Sequence, residues 1–352
     1  MRVSVPSLPH AILTANSSTQ EAIHHLSNFI RHGNLTVITG AGVSVDSGIR
    51  AYRGHDGRYM YPNYKPILYH EFVDEGEKGH LFRQRYWLRS YLGYPPVRDT
   101  QPNPTHFALA ALQHTGYIGH IITQNVDGLH HKALTSKASN FWTSDRLDRG
   151  LLELHGSIHR VVCRSGHTIA RETFQDQLSI ANPKWQAFAE EMELGGGKKL
   201  RTNPDGDVAV EHLGLSYESF VVPACPHCFS EKGTHVFLKP EFIFFGESIP
   251  QPTKIRSHKD VEISDRVLLM GTTLATYSSF RLVKHALELR KPVLMLNVGP
   301  TRADDLTGVT KIELPTGTVM RDVAKAVIGH QLLEGSLVNN ILYSGIVKPP
   351  GG

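Results

Sequence analysis

The chain has 352 residues, 40% of them hydrophobic, with 37 basic and 33 acidic side chains that leave a formal charge of +4. That is enough chain to bury one sizeable core and a smaller satellite, and charges this evenly interspersed argue against a basic arm for specific or non-specific nucleic-acid binding. The three cysteines, Cys163, Cys225 and Cys228, include one C-x-x-C pair and suit a metal in a reducing compartment better than a disulfide framework; no run reaches the roughly 20 apolar residues of a membrane-spanning helix, so no membrane partner is expected.

The first twenty residues lack acids, carry Arg2 and are rich in Ser and Thr. This is the direction of a mitochondrial presequence, with a disordered polar terminus over 1–18 as the alternative. Ser18 and Glu21 form a capping-box pattern, and Ile23, Leu26 and Ile30 recur at helical spacing before Gly33, predicting a helix over 19–32. The apolar run Leu35–Thr39 then reads as a buried strand feeding a Gly40-Ala41-Gly42 turn. Further strands are predicted at 118–123, 151–154, 236–245, 267–270 and 293–298, with helices near 103–114 and 278–290. The alternation predicts an α/β fold, a Rossmann-like, mostly parallel sheet with helices on both faces. Two stretches interrupt it: 55–100, with a helix near 81–92, and 160–235, with all the cysteines and Gly195-Gly196-Gly197. They are expected to form a smaller lobe from a helical insertion and a metal module. The larger, Rossmann-like domain then comprises 19–55, 101–158 and 236–335, the insertions 56–100 and 159–235, and a C-terminal tail 336–352 that ends in Pro349-Pro350-Gly351-Gly352.

In open sheets of this kind ligands sit beyond the carboxyl ends of the strands, so the polar residues ending the strands become the candidates. Gly40, Ala41, Gly42, Ser44, Ser47, Gly48 and Ile49 follow the first strand, where glycines let backbone N–H groups approach a phosphate and the serines add donors. Val45 stands where the dinucleotide fingerprint wants a third Gly or Ala, which disfavours an ordinary dehydrogenase. Gln124, Asn125, Val126 and Asp127 end the second strand; their polar groups need partners, either a helix cap or the ribose and carboxamide of a nicotinamide nucleotide. His155, before Gly156, ends another strand and has the chemistry of a general base near neutrality.

These strings, with Phe244-Phe245-Gly246-Glu247, Gly271-Thr272-Thr273 and Asn297-Val298-Gly299, resemble the sirtuin family in the family's own order over about residues 20–330. Arg83-Gln84-Arg85-Tyr86-Trp87, Gln101-Pro102-Asn103-Pro104, Pro204-Asp205-Gly206-Asp207 and Gly299-Pro300-Thr301-Arg302 resemble its mitochondrial, class II branch. The resemblance implies an NAD-dependent protein-lysine deacylase that consumes NAD and releases nicotinamide and O-acyl-ADP-ribose, with mono-ADP-ribosyl transfer or NAD binding without turnover as alternatives. It implies that the glycine turn, with Tyr52, Arg53 and Gln124, holds NAD, that Asn125 and Asp127 position its nicotinamide end, and that Gly271, Thr272, Thr273, Asn297, Val298 and Gly299 hold the adenosine half. His155 would be the base, and Phe242, Phe244, Phe245, Gly246 and Glu247 would pair with an acyl-lysine peptide. The expected oligomeric state is a monomer and the expected compartment the mitochondrial matrix.

Two departures from the family pattern stand out. The usual pair of C-x-x-C motifs is reduced to Cys163 alone plus Cys225 and Cys228, so His167 is the expected fourth ligand of a structural zinc, in preference to His227. Arg50-Ala51 also replaces the family's Pro-Asp ahead of Tyr52. On the 81–92 helix, Arg83, Arg85 and Arg89 suggest either a positive acyl-pocket wall or a solvated face.

Overall fold

The computed structural model describes residues 18–52, 66–194, 216–329 and 336–348. Arg53, the Gly195-Gly196-Gly197 and Pro204-Asp205-Gly206-Asp207 segments, the presequence-like residues 1–17 and the final four residues lie outside them. The chain divides into two compact units, one of Met1–Met60, Thr100–His155 and Ile249–Gly352, the other of Tyr61–Asp99 and Gly156–Ser248.

Nine strands occur in the described residues: β1 Leu35–Thr39, β2 Ile118–Thr123, β3 Leu151–Glu153, β4 Arg160–Cys163, β5 Thr168–Ala170, β6 Leu238–Pro240, β7 Arg266–Met270, β8 Val293–Leu296 and β9 Val309–Ile312. The helices are α1 Thr19–Arg31, α2 Tyr69–Val73, α3 Glu77–Arg98, α4 Pro104–His114, α5 Leu129–Ala138, α6 Ser144–Gly150, α7 Arg171–Ala181, α8 Pro183–Leu194, α9 Pro226–Lys232, α10 Gln251–Ile263, α11 Tyr277–Glu288 and α12 Thr316–Ile328. The first unit holds a six-stranded, wholly parallel sheet in the order β3-β2-β1-β7-β8-β9. The chain folds outward from β1 to one edge and then from β7 to the other, so the order reverses beside β1, where doubly wound folds place their ligand.

β1 is buried along its whole length because both faces are covered. Leu35 and Val37 enter the core formed with α1, α4 and α12, while Thr36, pointing the other way, donates from Oγ1 to the Asp260 carbonyl of α10 at 2.8 Å. The capping box at the start of α1 forms as its sequence predicts: Ser18 N donates to Glu21 Oε2 at 2.7 Å and Glu21 N to Ser18 Oγ at 3.3 Å. From residue 336 onward the chain is structured up to 348: the short helix Leu337–Leu342 buries Ile341 and Leu342 in the same core, and Lys348 pairs with Ser47.

The second unit holds an antiparallel sheet, β5-β4-β6, over an aromatic core that includes Phe72, Trp87, Phe174, Trp185 and Phe220. The 236–245 run, expected as one long strand, is corrected here to the three residues of β6. Lys239 explains the shortening: its ammonium donates to the carbonyls of Pro240 and Phe242 at 2.8 and 2.7 Å and pairs with Glu247 at 3.1 Å, curling the chain back on itself. α3 runs well past the predicted 81–92, through Pro95 and Pro96. The Tyr91 carbonyl, which Pro95 cannot serve, accepts Gln175 Nε2 at 2.9 Å instead. Arg83 is buried, donating to the Phe72 carbonyl at 2.9 Å and to that of Asp74 and stacking 4.3 Å from the Phe237 ring. It closes the end of α2 and does not lie on a solvated face; Arg85 and Arg89 lie on the exposed face of α3.

Candidate active site

Three of the strand-end segments meet at the carboxyl ends of β1, β2 and β7. Gly40 N donates to the Met270 carbonyl at 3.0 Å and Gly42 N to that of Gly271 at 2.8 Å. A Cβ on Gly40 would sit 2.8 Å from the Gly271 carbonyl oxygen, and one on Gly42 2.7 Å from Gly271 Cα. These two glycines are therefore required by the closeness of two loops, and Gly271, at φ +56°, returns the contact. Past it, Leu274 is buried at φ +53°, a left-handed conformation uncommon outside glycine.

Ser44 is the hub. Its hydroxyl donates to Asp127 Oδ2 at 2.8 Å and accepts Asn125 Nδ2 at 3.1 Å, while Asn125 Nδ2 also reaches the Gly40 carbonyl at 3.2 Å. The His106 ring closes the hub from behind, with Nε2 at 3.4 Å from Ser44 Oγ; Asn103 N donates to its Nδ1 at 3.4 Å. His106 and His130 are buried with their rings edge to face, centroids 4.8 Å apart, and His130 Nε2 lies 2.9 Å from Thr39 Oγ1. Burial pushes the His106 pKa well below its usual value, with the neighbouring His130 adding to the effect, and lowers that of His130 to about 4. Asp127 serves two purposes, since its Oδ1 accepts Leu129 N at the start of α5 at 3.0 Å. Of the alternatives open in the sequence, the cap-like contact is present at Oδ1, while Oδ2 is bonded to Ser44. Ser47 Oγ is buried with no hydrogen-bond partner among the described residues, an orphaned donor beside the same turn.

Gln124 ties this hub to His155. Its Nε2 donates to the Thr39 carbonyl at 3.2 Å and to Thr272 Oγ1 at 2.9 Å, its Oε1 accepts Thr276 Oγ1 at 3.3 Å, and its backbone carbonyl lies 3.1 Å from His155 Nδ1. A carbonyl only accepts, so Nδ1 carries the proton and Nε2 of the neutral ring keeps its lone pair. Burial lowers the His155 pKa against the opposing pull of that carbonyl, so the ring is neutral at pH 7.

On the β8 side, Asn297 folds onto the carbonyls of Val298 and Gly299 at 2.9 and 3.4 Å. A buried Lys311 holds the loop: it donates to the Gly299 carbonyl at 2.8 Å and pairs with Asp304 at 3.1 Å, while Asp304 accepts Thr301 Oγ1 at 2.6 Å and Thr301 N at 2.8 Å. Thr273 joins by accepting Arg302 N at 3.0 Å. Tyr52 is among the exposed large side chains.

In the second unit, Cys163, His167, Cys225 and Cys228 form one cluster whose ligand atoms all lie within 4.8 Å of one another. Three thiolates and one imidazole around tetrahedral zinc require sulfur–sulfur edges of about 3.8 Å and sulfur–nitrogen edges of about 3.5 Å. Cys163 and Cys228 sulfurs are 3.7 Å apart, and His167 Nδ1 lies 3.5, 3.7 and 3.4 Å from the sulfurs of Cys163, Cys225 and Cys228. The donor set fits zinc. Glu231 Oε1 lies 3.3 Å from His167 Nε2, beside the ring nitrogen that faces away from the sulfurs, a neighbour that nothing in the sequence marked.

The Sir2 family profile matches residues 40–278. The chain belongs to the Sir2 family. It is 40% identical over 301 residues to the NAD-dependent protein deacylase SIR4 of Batrachochytrium dendrobatidis, covering 84% of this chain and 90% of that protein. It is 37% identical to the Arabidopsis thaliana NAD-dependent protein deacylase SRT2, over 88% of this chain and 78% of that one. The mitochondrial NAD-dependent protein lipoamidase sirtuin-4 of Homo sapiens is 37% identical over 81% of each chain. A solved Sir2 homologue–NAD complex shares the fold, with a TM-score of 0.58 and 20% identity over 90% of this chain and 96% of that one. No helix among the described residues is long and apolar enough to cross a membrane.

Proposed function

We propose that this sirtuin is an NAD-dependent protein-lysine deacylase that consumes NAD and one water and yields nicotinamide, free lysine and O-acyl-ADP-ribose. The observation that carries the reading is that Asn125 and Asp127, both bonded to Ser44, follow directly in the chain on Gln124, whose backbone carbonyl holds a neutral His155. Gly40, Ala41, Gly42, Ser44, Ser47, Gly48 and Ile49, with Tyr52 and Arg53, hold the pyrophosphate side of NAD; Gln124, Asn125, Val126 and Asp127 hold its nicotinamide end. The loops of Gly271, Thr272 and Thr273 and of Asn297, Val298 and Gly299 take the adenosine half.

The chemistry follows from charge. Loss of nicotinamide leaves positive character at the anomeric carbon, which the acyl oxygen attacks; the Asp127 carboxylate stabilises that character, and Asn125 holds the ribose beside it. His155 then removes a ribose hydroxyl proton so that the oxygen can attack the acyl carbon. Phe242, Phe244, Phe245, Gly246 and Glu247 form the stretch that pairs with the acyl-lysine peptide, its curvature set by the Lys239–Glu247 pair. Cys163, His167, Cys225 and Cys228 hold a structural zinc that braces the smaller unit and takes no part in the reaction. Names of the relatives speak of deacylases and a lipoamidase, which favours acyl removal over ADP-ribosyl transfer. The mitochondrial relative and the acid-free first twenty residues support a mitochondrial address, and the working unit is taken to be a monomer acting on acylated proteins.

An acyl-lysine peptide panel incubated with NAD and read by mass spectrometry tests the proposal. Deacylated peptide and free nicotinamide in equal amounts are expected for at least one acyl group. Absence of both products across acetyl, acidic, lipoyl and long-chain peptides refutes it.

A further inference from the structure

His155 does not present an empty lone pair. Ser278 Oγ lies 3.0 Å from His155 Nε2, and with Nδ1–H committed to the Gln124 carbonyl at 3.1 Å, the serine hydroxyl must be the donor. Any hydroxyl that His155 is to deprotonate therefore either expels Ser278 or passes its proton through it. The surroundings favour passage. Ser278 sits in the first turn of α11, and that turn is pinned: Thr276 Oγ1 lies 2.7 Å from Ser279 Oγ, and Ser279 Oγ donates to the Thr276 carbonyl at 3.1 Å. Thr276 Oγ1 also donates to Gln124 Oε1 at 3.3 Å. Gln124 thus fixes the imidazole with its backbone and the serine's turn with its side chain, so acceptor and donor are held from one residue.

We propose that Ser278 relays the proton from the NAD ribose to His155, a reading that rests on the deacylase assignment. The ribose O–H bond breaks and its proton goes to Ser278 Oγ; the serine O–H bond breaks and its proton goes to Nε2. Serine ends as it began, the ring becomes imidazolium, and the ribose oxygen is left as the nucleophile. A hydroxyl accepts and donates at once, so it does here what a bridging water does in other general-base systems.

Ser278→Thr and Ser278→Val separate the hydroxyl from the shape of the side chain. Each is assayed with NAD and the acyl peptide that wild-type enzyme accepts, for exchange of labelled nicotinamide, which precedes base action, and for deacylated peptide, which follows it. The relay predicts that Ser278→Val keeps nicotinamide exchange at the wild-type level while deacylation falls by about 100-fold or more, and that Ser278→Thr recovers most of the loss. Deacylation by Ser278→Val equal to that of Ser278→Thr overturns the proposal, because the serine is then a displaced placeholder. A parallel fall of exchange and deacylation in Ser278→Val also overturns it, marking a structural role. If wild-type enzyme releases no nicotinamide with any peptide, the deacylase reading fails first, and the two failures are told apart.

Discussion

The two units are stabilised by different means. In the six-stranded unit the functional groups are short side chains at strand ends, held by neighbours at a strand end or an adjoining loop or helix, as Ser44 is by Asp127 and Asn125 and Gln124 by Thr272, with the Ser47 hydroxyl as an exception. In the other unit the organising contacts are aromatic edges, such as Trp87 against Phe174 at 4.8 Å, and four ligand atoms from two distant stretches of chain. Parallel strands flanked by helices position a site through the sheet itself; a three-stranded sheet with few apolar layers needs a cross-link.

That difference is open to attack. The largest effect should come from the metal: a chelator, or His167→Ala, should cut zinc from about one equivalent to less than half and remove the cooperative unfolding of the smaller unit, because metal binding free energy is folding free energy there. Zinc analysis with near-UV circular dichroism reads it, and full zinc in His167→Ala would show that another residue, such as His227, completes the site. Next, Lys311→Met leaves the Asp304 carboxylate buried without its cation and should cost about 3–5 kcal/mol in denaturant unfolding. A loss under about 1 kcal/mol, the worth of an exposed pair, would mean that the Gly299 loop is held by other contacts. The smallest effect is acid sensitivity of the polar hub. Folding lowers the pKa of both His106 and His130, so below 6.5 the unfolded chain takes up protons that the folded chain refuses. Their contribution is complete above pH 6.5 and declines as pH falls toward about 4. His130→Gln should flatten the slope of Tm against pH between these limits; an unchanged slope would assign the acid sensitivity elsewhere.

The same contrast explains what was legible in the sequence. β1, β7 and β8 are continuous β-branched or leucine-rich runs bounded by turn residues, and β2 ends in Ile121-Ile122-Thr123, so their positions and the polar residues that end them could be read directly. β9 was missed because Val309-Thr310-Lys311-Ile312 carries a lysine that reads as surface, yet Lys311 is buried on Asp304. The 236–245 run was overextended because its apolar content outweighed Pro240, the one residue signalling that pairing stops. His106 and His130 were invisible among 21 histidines; only the Asn103 cap beside His106 offered a signal. Ser278 and Glu231 act through partners far away in the chain, and no local pattern marks such pairs. The Cys₃His set was legible because ligand type and spacing are themselves the chemistry, and the folded edges of 3.4–3.7 Å around His167 Nδ1 agree with it.

One comparison bears most directly on the claim that the strand ends build a single NAD-consuming site with His155 as its base: His155→Ala beside wild type, each assayed for the NAD-induced thermal shift and for deacylated peptide. The account predicts a retained shift and a loss of deacylation of about 10²–10⁴-fold. Deacylation at the wild-type rate by His155→Ala would contradict it.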